Sequence, residues 1–344
     1  MTALWRVARS RDTVMVVLLA SVCAIAWLTT PRFASSTTVG FLLLDLVATL
    51  LIAMPMTLII ITGEIDLSVA SIAGLASACL GAGWQAGLSM PTALLLAIAA
   101  GAVCGAINGG LITMIGLPSL AVTIGTLALY RGLALVVLGD NAVANFPPAY
   151  ASFATARFAS GIPHVMIPVL VLVLGFIAVL HLTPAGRALY AMGNSAEAAR
   201  FTGINVARSK FYLYLTSGVV SALAGIFWTL RYSSARSDNA IGLELTVVAA
   251  VLLGGVSIFG GSGTLLGVLC AVGTIGVINY ALRLNRVSDV VLVTITGALL
   301  IASVLAPSLN AAIRELRQRR RPGRTAQVAS TVTIHNPPLG KEET

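Results

Sequence analysis

The sequence predicts an all-α integral membrane protein of about ten transmembrane helices, arranged as two inverted-topology halves. Three observations predict it. Apolar residues make up 58% of the 344 and charged residues 10%, which leaves a soluble globule too little polar surface to cover itself. Apolar runs of about 20 residues recur along the chain, and each matches the thickness of a bilayer core. Finally, Gly105-Ala106-Ile107-Asn108 is echoed by Gly276-Val277-Ile278-Asn279, and Thr123-Ile124 by Thr294-Ile295, both at an offset of 171 residues. Length alone would suggest about two soluble domains; the repeated runs override it.

The predicted spans are 13–30, 39–62, 67–83, 92–115, 118–138, 163–182, 211–230, 243–259, 264–282 and 289–306. Residues 1–12 form the N-terminal flank and 307–344 a basic tail, polar from about Gln327 and expected to be disordered. Arg6, Arg9 and Arg11 before the first run resemble the front of a secretory signal, but no small-residue cleavage site follows before Pro31. The run is therefore read as an uncleaved span. The third and fifth spans are short or interrupted by glycine, so each is either spanning or re-entrant.

Basic residues set the orientation, because Lys and Arg beside the spans stay on the cytoplasmic side. With ten spans and the N-terminus inside, fourteen basic residues fall inside and six outside, and Arg131 lies within a span. Both termini and the central polar island, 183–210, are then cytoplasmic. Span four runs inward and span nine outward, which gives the repeats opposite orientations. A net charge of +9 concentrated in these flanks suits anionic lipid and not nucleic acid. Cys23, Cys79, Cys104 and Cys270 all lie in spans without CxxC spacing, and the three histidines do not cluster with acids or thiols. No metal site is readable.

Taken in order, the polar positions within this apolar frame are the candidates for function. Asp45 lies in span two near the outer interface, and Thr62-Gly63-Glu64-Ile65-Asp66-Leu67-Ser68 places two more acids at a break between apolar segments. Acids at membrane depth are costly and face a partner or a cavity. Asp66 either caps the helix that starts near Leu67 or belongs to a translocation path. In span four, Gly101, Gly105 and Gly109 at spacing four permit close helix approach, and Asn108 can hydrogen-bond across the interface. With Thr123, and the echoed Asn279 and Thr294, Asp66 and Asn108 make up the candidate path. Arg131 has a stem long enough to reach the outer face. The loops 139–162 and 231–242 are the candidate external surfaces, as solvated connections or as docking contacts. The run Gly254-Gly255 to Gly260-Gly261-Ser262-Gly263 superficially resembles a phosphate loop but lacks its Lys and its strand–helix frame. It reads as a tight turn between packed helices. No Walker sequence occurs, so energy from ATP would have to come from another chain.

The island holds a short helix from Ser195 to Phe201, with Asn194 or Ser195 as the cap, alanines favouring helix, and Gly203 as the stop. A helix that short needs a surface to press against. Glu197-Ala198-Ala199 followed by Gly203 resembles the cytoplasmic coupling segment of ABC-importer permeases. The resemblance continues through Gly63 to Val69, Ala106 to Gly109, Thr123 to Leu127, Gly186 to Asn205 and Leu253 to Gly263, which together look like the ribose, xylose and autoinducer-2 permeases of that superfamily. Met54-Pro55-Met56-Thr57, Cys104 to Asn108 and Ser233 to Asp238 are most similar to the autoinducer-2 group, particularly the second, D-type, of its paired subunits. Glu64 departs from the pattern, since sugar permeases often carry a glycine there.

This resemblance implies a permease subunit and not an enzyme, with no cofactor of its own. A second permease subunit, identical or paralogous, would complete the pathway in the bacterial inner membrane. An external solute-binding protein would deliver a sugar-like small molecule, and cytoplasmic ATPase subunits would bind ATP and dock on Glu197, Ala198, Ala199, Arg200 and Gly203. A different class, an ion-coupled secondary transporter that uses Asp45, Glu64 or Asp66 as a relay, fits inverted repeats equally well but leaves the island unexplained.

Overall fold

The computed structural model describes residues 11–288, 290–302 and 305; the tail 307–344 and most of the N-terminal flank lie outside them. Among the described residues the chain forms thirteen helices: α1 Arg11–Thr29, α2 Ser36–Ile61, α3 Val69–Gln85, α4 Met90–Thr113, α5 Ser119–Leu138, α6 Pro148–Thr155, α7 Met166–Leu182, α8 Pro184–Asn194, α9 Ala196–Phe201, α10 Val206–Tyr232, α11 Leu243–Leu253, α12 Leu265–Leu284 and α13 Val290–Ala302. Their starts are written locally. The hydroxyls of Ser35, Ser89 and Thr264 accept from the backbone N–H three residues on, and Pro91 fills the first turn of α4, where a missing N–H costs nothing.

Each of the ten expected spans contains a helix. Six helices are long and apolar enough to cross a membrane alone: α1, α2, α4, α5, α10 and α12. Helix α7 passes only together with α8, to which it is bent by 67°; α3, α11 and α13 are shorter apolar helices. Span five is thus a full-length helix, whereas the 17 residues of α3 rise about 25 Å, less than a hydrocarbon core of about 30 Å. Helix α3 lies in the centre of the protein, packed against α4, α5 and α10, with Val69 to Ala78 all buried. Expected span eight, 243–259, is corrected: its helix stops at Leu253. Gly255, Gly260, Gly261 and Gly263 take φ of 87°, 84°, 74° and 142°, which no continuing helix can hold.

The repeat extends well beyond the two short echoes. Moved by 171 residues, Ser36–Ile61 falls on 207–232, and α10 is Val206–Tyr232. In the same way α3 falls over α11, Met90–Thr113 falls on 261–284, where α12 is Leu265–Leu284, and α5 is carried to 290, where α13 begins. Helices α2 and α10 run antiparallel. Lys210 at the start of α10 pairs with Glu64 just beyond the end of α2, while Arg231 near the end of α10 pairs with Asp45 in the first half of α2. The seam between α4 and α10 is where close approach is demanded. A Cβ on Gly105 would overlap the Tyr214 carbonyl oxygen, and one on Gly218 would overlap that of Gly101. This is the small-residue packing that membrane helices use in place of a hydrophobic driving force.

Candidate functional site

The island folds as two helices and a cap. Thr183 accepts from the Gly186 N–H at 3.4 Å and Pro184 opens α8. Ser195 breaks the chain into extended geometry and accepts from the Ala198 N–H at 3.2 Å, which starts α9. Gly203, at φ 85°, closes it: its N–H donates to the Arg200 carbonyl, and the Ile204 N–H to that of Ala199. Ala199 is buried, whereas Glu197, Ala198, Arg200 and Gly203 face outward. Phe201 is 85% exposed and Phe259, in the 254–264 turn, 86%. Sequence reasoning missed this pair, because an isolated aromatic in a polar loop carries no periodic signal.

What the island rests on is backbone. The Gly261 N–H donates to the Ile61 carbonyl oxygen at 2.9 Å. A Cβ on Gly193 would overlap both of those atoms, and one on Gly260 would lie 2.9 Å from the Gly63 nitrogen and 3.0 Å from the Gly193 oxygen. Three chain segments meet here with no side chain between them: the end of α2, the end of α8 and the glycine turn. Tyr190 ties the same contact from α8 by donating to the Gly263 carbonyl at 2.7 Å. Gly254 works elsewhere in the turn, against the backbone of Gly267 and Val268 on α12. Gly255 ends α11, and Gly263 crosses close to Val256.

Directly beyond the node, the chain 62–68 enters the protein and is held from three helices, α4, α5 and α10. Ser68 donates to Asp66 Oδ1 through N–H at 3.0 Å and Oγ at 2.6 Å, and Ser217 of α10 donates to Oδ2 at 2.8 Å. Asn108 of α4 donates to Ser68 Oγ at 2.8 Å, and the Tyr130 hydroxyl of α5 donates to Asn108 Oδ1 at 3.1 Å. Thr123 and Tyr214 both donate to the Ile65 carbonyl at 3.3 Å, while Ser119 Oγ accepts from the Ile65 N–H. Asp66, Ser68, Asn108 and Thr123 are at most 1% exposed. Three of the five path candidates, Asp66, Asn108 and Thr123, therefore converge. Asn279 and Thr294 do not join them: Asn279 lines a separate cavity among α10, α11, α12 and α13, and Thr294 Oγ1 bonds the Val290 carbonyl of its own helix. The reason is the repeat itself, which places the second half's equivalents on the second half's helices.

Asp45, Glu64, Asp66 and the lone Arg131 all find partners. Glu64, the departure from the sugar-permease pattern, pairs with Lys210, the last residue of the island, with both side chains about five-sixths buried. The Arg131 guanidinium reaches the loop 231–242, one of the two segments read as external. It donates to the carbonyls of Ser237 at 2.7 Å, Asn239 at 2.9 Å and Ala70 at 3.2 Å, and so anchors the loop after α10. That loop and the loop after α5 are joined by paired bonds between Val143 and Ala235. On its exposed edge, hydrogen bonds from Arg236 hold the Asp238 carboxyl below its ordinary value. Among the described residues no three His, Cys, Asp or Glu converge as a metal site.

The chain matches the family described as branched-chain amino acid transport system / permease component over residues 38–304. It is 36% identical over 286 residues to the autoinducer 2 import system permease protein LsrD of Yersinia pseudotuberculosis serotype O:3 (strain YPIII), covering 80% of this chain and 86% of that one. The LsrD proteins of Yersinia enterocolitica serotype O:8 / biotype 1B (strain NCTC 13174 / 8081) and Yersinia pestis (strain Pestoides F) are each 35% identical over the same shares. No solved structure matches. Multi-pass apolar helices, a glycine-packed seam and a match running through nearly the whole helical region agree: this chain belongs to the permease-component family of branched-chain amino acid transport systems, membrane transport subunits and not enzymes.

Proposed function

We propose that this chain is a permease subunit of an ATP-driven importer in the bacterial inner membrane, and that its cargo is a small sugar-like molecule of the pentose, deoxyhexose or autoinducer-2 class. The observation that carries the reading is the outward-facing helix α9, which follows directly on α8, whose end meets α2 and the glycine turn at a backbone node. The node gives a docked partner leverage on the helices of both halves. The relatives named as autoinducer 2 import permeases support the cargo class.

In this reading the island and both termini face the cytoplasm. An ATPase subunit, which binds the ATP, docks on Glu197, Ala198, Arg200 and the exposed Phe201, while Ala199 packs inward. A second permease subunit completes the path, and an external binding protein supplies the cargo. Movement of α9 passes through Gly193 to the end of α2, and through Lys210 and Glu64 to the turn that holds Asp66. Access then alternates by a population shift between two packings.

Gly203 tests the docking segment. Nothing lies within 4 Å of a Cβ built there, but φ of 85° costs a larger residue about 1–2 kcal/mol. Gly203→Leu is expected to leave the protein in the membrane and abolish uptake by the assembled transporter, measured in vesicles with ATP inside. Normal uptake would remove α9 from the coupling path. The ion-coupled alternative names Asp45, Glu64 or Asp66 as its relay, and all three are engaged. Asp45 is paired with Arg231, Glu64 with Lys210, and Asp66 receives three hydrogen bonds.

A further inference from the structure

The two halves differ at one equivalent place. In the first half the Asn108 side chain is completely buried and engaged by Ser68 and Tyr130. Moved by 171 residues, Asn108 falls on Asn279, Tyr130 on Ile301 and Ser68 on Asn239. Ile301 has no hydroxyl to offer, and the Asn239 amide is spent on Ser77 Oγ at 2.8 Å and the Ser234 carbonyl at 3.1 Å. Both partners are therefore missing. No hydrogen bond engages the Asn279 amide among the described residues, and Asn279 lines a cavity of about 330 Å³.

The walls of this cavity are mostly aliphatic, from Ile241, Leu243, Leu245, Leu292, Val293 and Leu300, with a few polar groups set among them. Trp228 supplies an indole surface, Thr246 and Thr296 supply hydroxyls, Asn279 an amide and Arg283 a guanidinium. Thr246 and Thr296 each donate to a carbonyl of their own helix neighbourhood, at 3.2 Å and 3.0 Å, so their lone pairs remain able to accept from a ligand hydroxyl. The amide of Asn279 can donate and accept at once. An aromatic face beside amide and hydroxyl groups matches a molecule with an apolar C–H face and hydroxyls around its rim. The volume is near the lower end of small-molecule pockets, which begin at about 300 Å³. Asn279 and Arg283 lie toward the end of α12 remote from the glycine turn, so the cavity is in the half of the protein away from α9.

We propose that this cavity is a receiving niche for the transported molecule, built to take a neutral polyhydroxylated ligand of about pentose size with Asn279 as its principal hydrogen-bonding group. The niche rests on the permease reading above and narrows it to one half of one subunit. It assigns the inverted repeat two jobs: the first half's Asn108 closes a structural network, and the second half's Asn279 is left for cargo.

The test is uptake into vesicles by the complete transporter with ATP supplied, using radiolabelled ribose, a radiolabelled deoxyhexose and radiolabelled autoinducer 2 as probes at concentrations below saturation. Asn279→Leu keeps the volume and removes the amide, and should reduce uptake of the transported probe about tenfold, the effect of one unsatisfied buried polar partner, through KM and not through the ATP-saturated rate. Thr296→Val should reduce it about threefold by the same route. Assembly with the ATPase and basal ATP hydrolysis are measured on the same samples, so a folding defect is seen separately. Unchanged KM for both variants in assembled transporters overturns the niche while leaving the permease reading intact. If the unaltered transporter imports none of the three probes, the sugar-class cargo and the niche built on it both fall.

Discussion

Gly193→Ala is expected to abolish coupled uptake, although a single methyl group is all that is added. That methyl would overlap the Ile61 carbonyl oxygen and the Gly261 nitrogen, both backbone atoms that cannot rotate aside. To admit it, α8 must lift from the end of α2, or the Gly261 N–H must leave the Ile61 oxygen it now meets at 2.9 Å. Forced overpacking costs about 1–3 kcal/mol, and here it falls on the contact proposed to carry movement from α9. Uptake should drop at least about tenfold while ATP hydrolysis persists, because the docking face of α9 is untouched. Gly175→Ala on α7, where an added Cβ meets nothing within 4 Å, is the matched control and should leave both rates unchanged. The ratio of cargo imported to ATP hydrolysed, measured on reconstituted transporters, reads the difference. An unaltered ratio in Gly193→Ala would mean that the node is not in the path of transmission.

The second large effect is expected at Asp66. Its two oxygens accept from the Ser68 N–H, the Ser68 hydroxyl and the Ser217 hydroxyl at 3.0, 2.6 and 2.8 Å. Removing the carboxyl orphans three donors in the interior, and each orphan costs about 1–3 kcal/mol. Asp66→Ala should therefore destabilise the purified protein by about 3 kcal/mol or more, read as a lower midpoint of thermal unfolding in detergent. Asp66→Asn keeps the shape and one acceptor oxygen, and the serine hydroxyls can reorient to accept from the new amide. Its cost should be about 1–2 kcal/mol. Equal losses for the two variants would show that the carboxyl is not the hub of this network.

The sequence carried the fold class and the order of the helices, because membrane spans are written as length and hydropathy, and these are local. It also carried α9, since Ser195, the alanines and Gly203 are local signals of capping and stop. The grouping of three of the five path candidates was legible for another reason. Asp66, Asn108 and Thr123 are polar residues in apolar segments, and such residues must find one another when buried. Their partners Ser68, Ser217, Tyr130 and Tyr214 were harder to single out, because serine and tyrosine are ordinary members of membrane helices.

What stayed hidden is long-range. Nothing near Glu64 announces Lys210, which lies 146 residues away, and nothing near Gly193 announces Ile61 and Gly261. The glycine run reads as a tight turn between packed helices, but which helices it meets was not legible. Gly254 does pack against α12, but Gly260 and Gly261 meet α2 and α8. The repeat was visible only as two short echoes, because inverted halves share helix order far more than sequence. Grouping Asn279 with Asn108 carried sequence equivalence into spatial proximity, whereas inversion places the two on separate helix sets.

The central claim is that this chain moves its cargo with energy received through α9 from a separate ATPase. It is tested most directly by cargo uptake into proteoliposomes that hold the permease pair with or without the ATPase, the binding protein being outside. The account predicts uptake only when the ATPase is present and ATP is supplied, and none from a proton or sodium gradient alone. Uptake driven by an ion gradient in liposomes that contain no ATPase would contradict it.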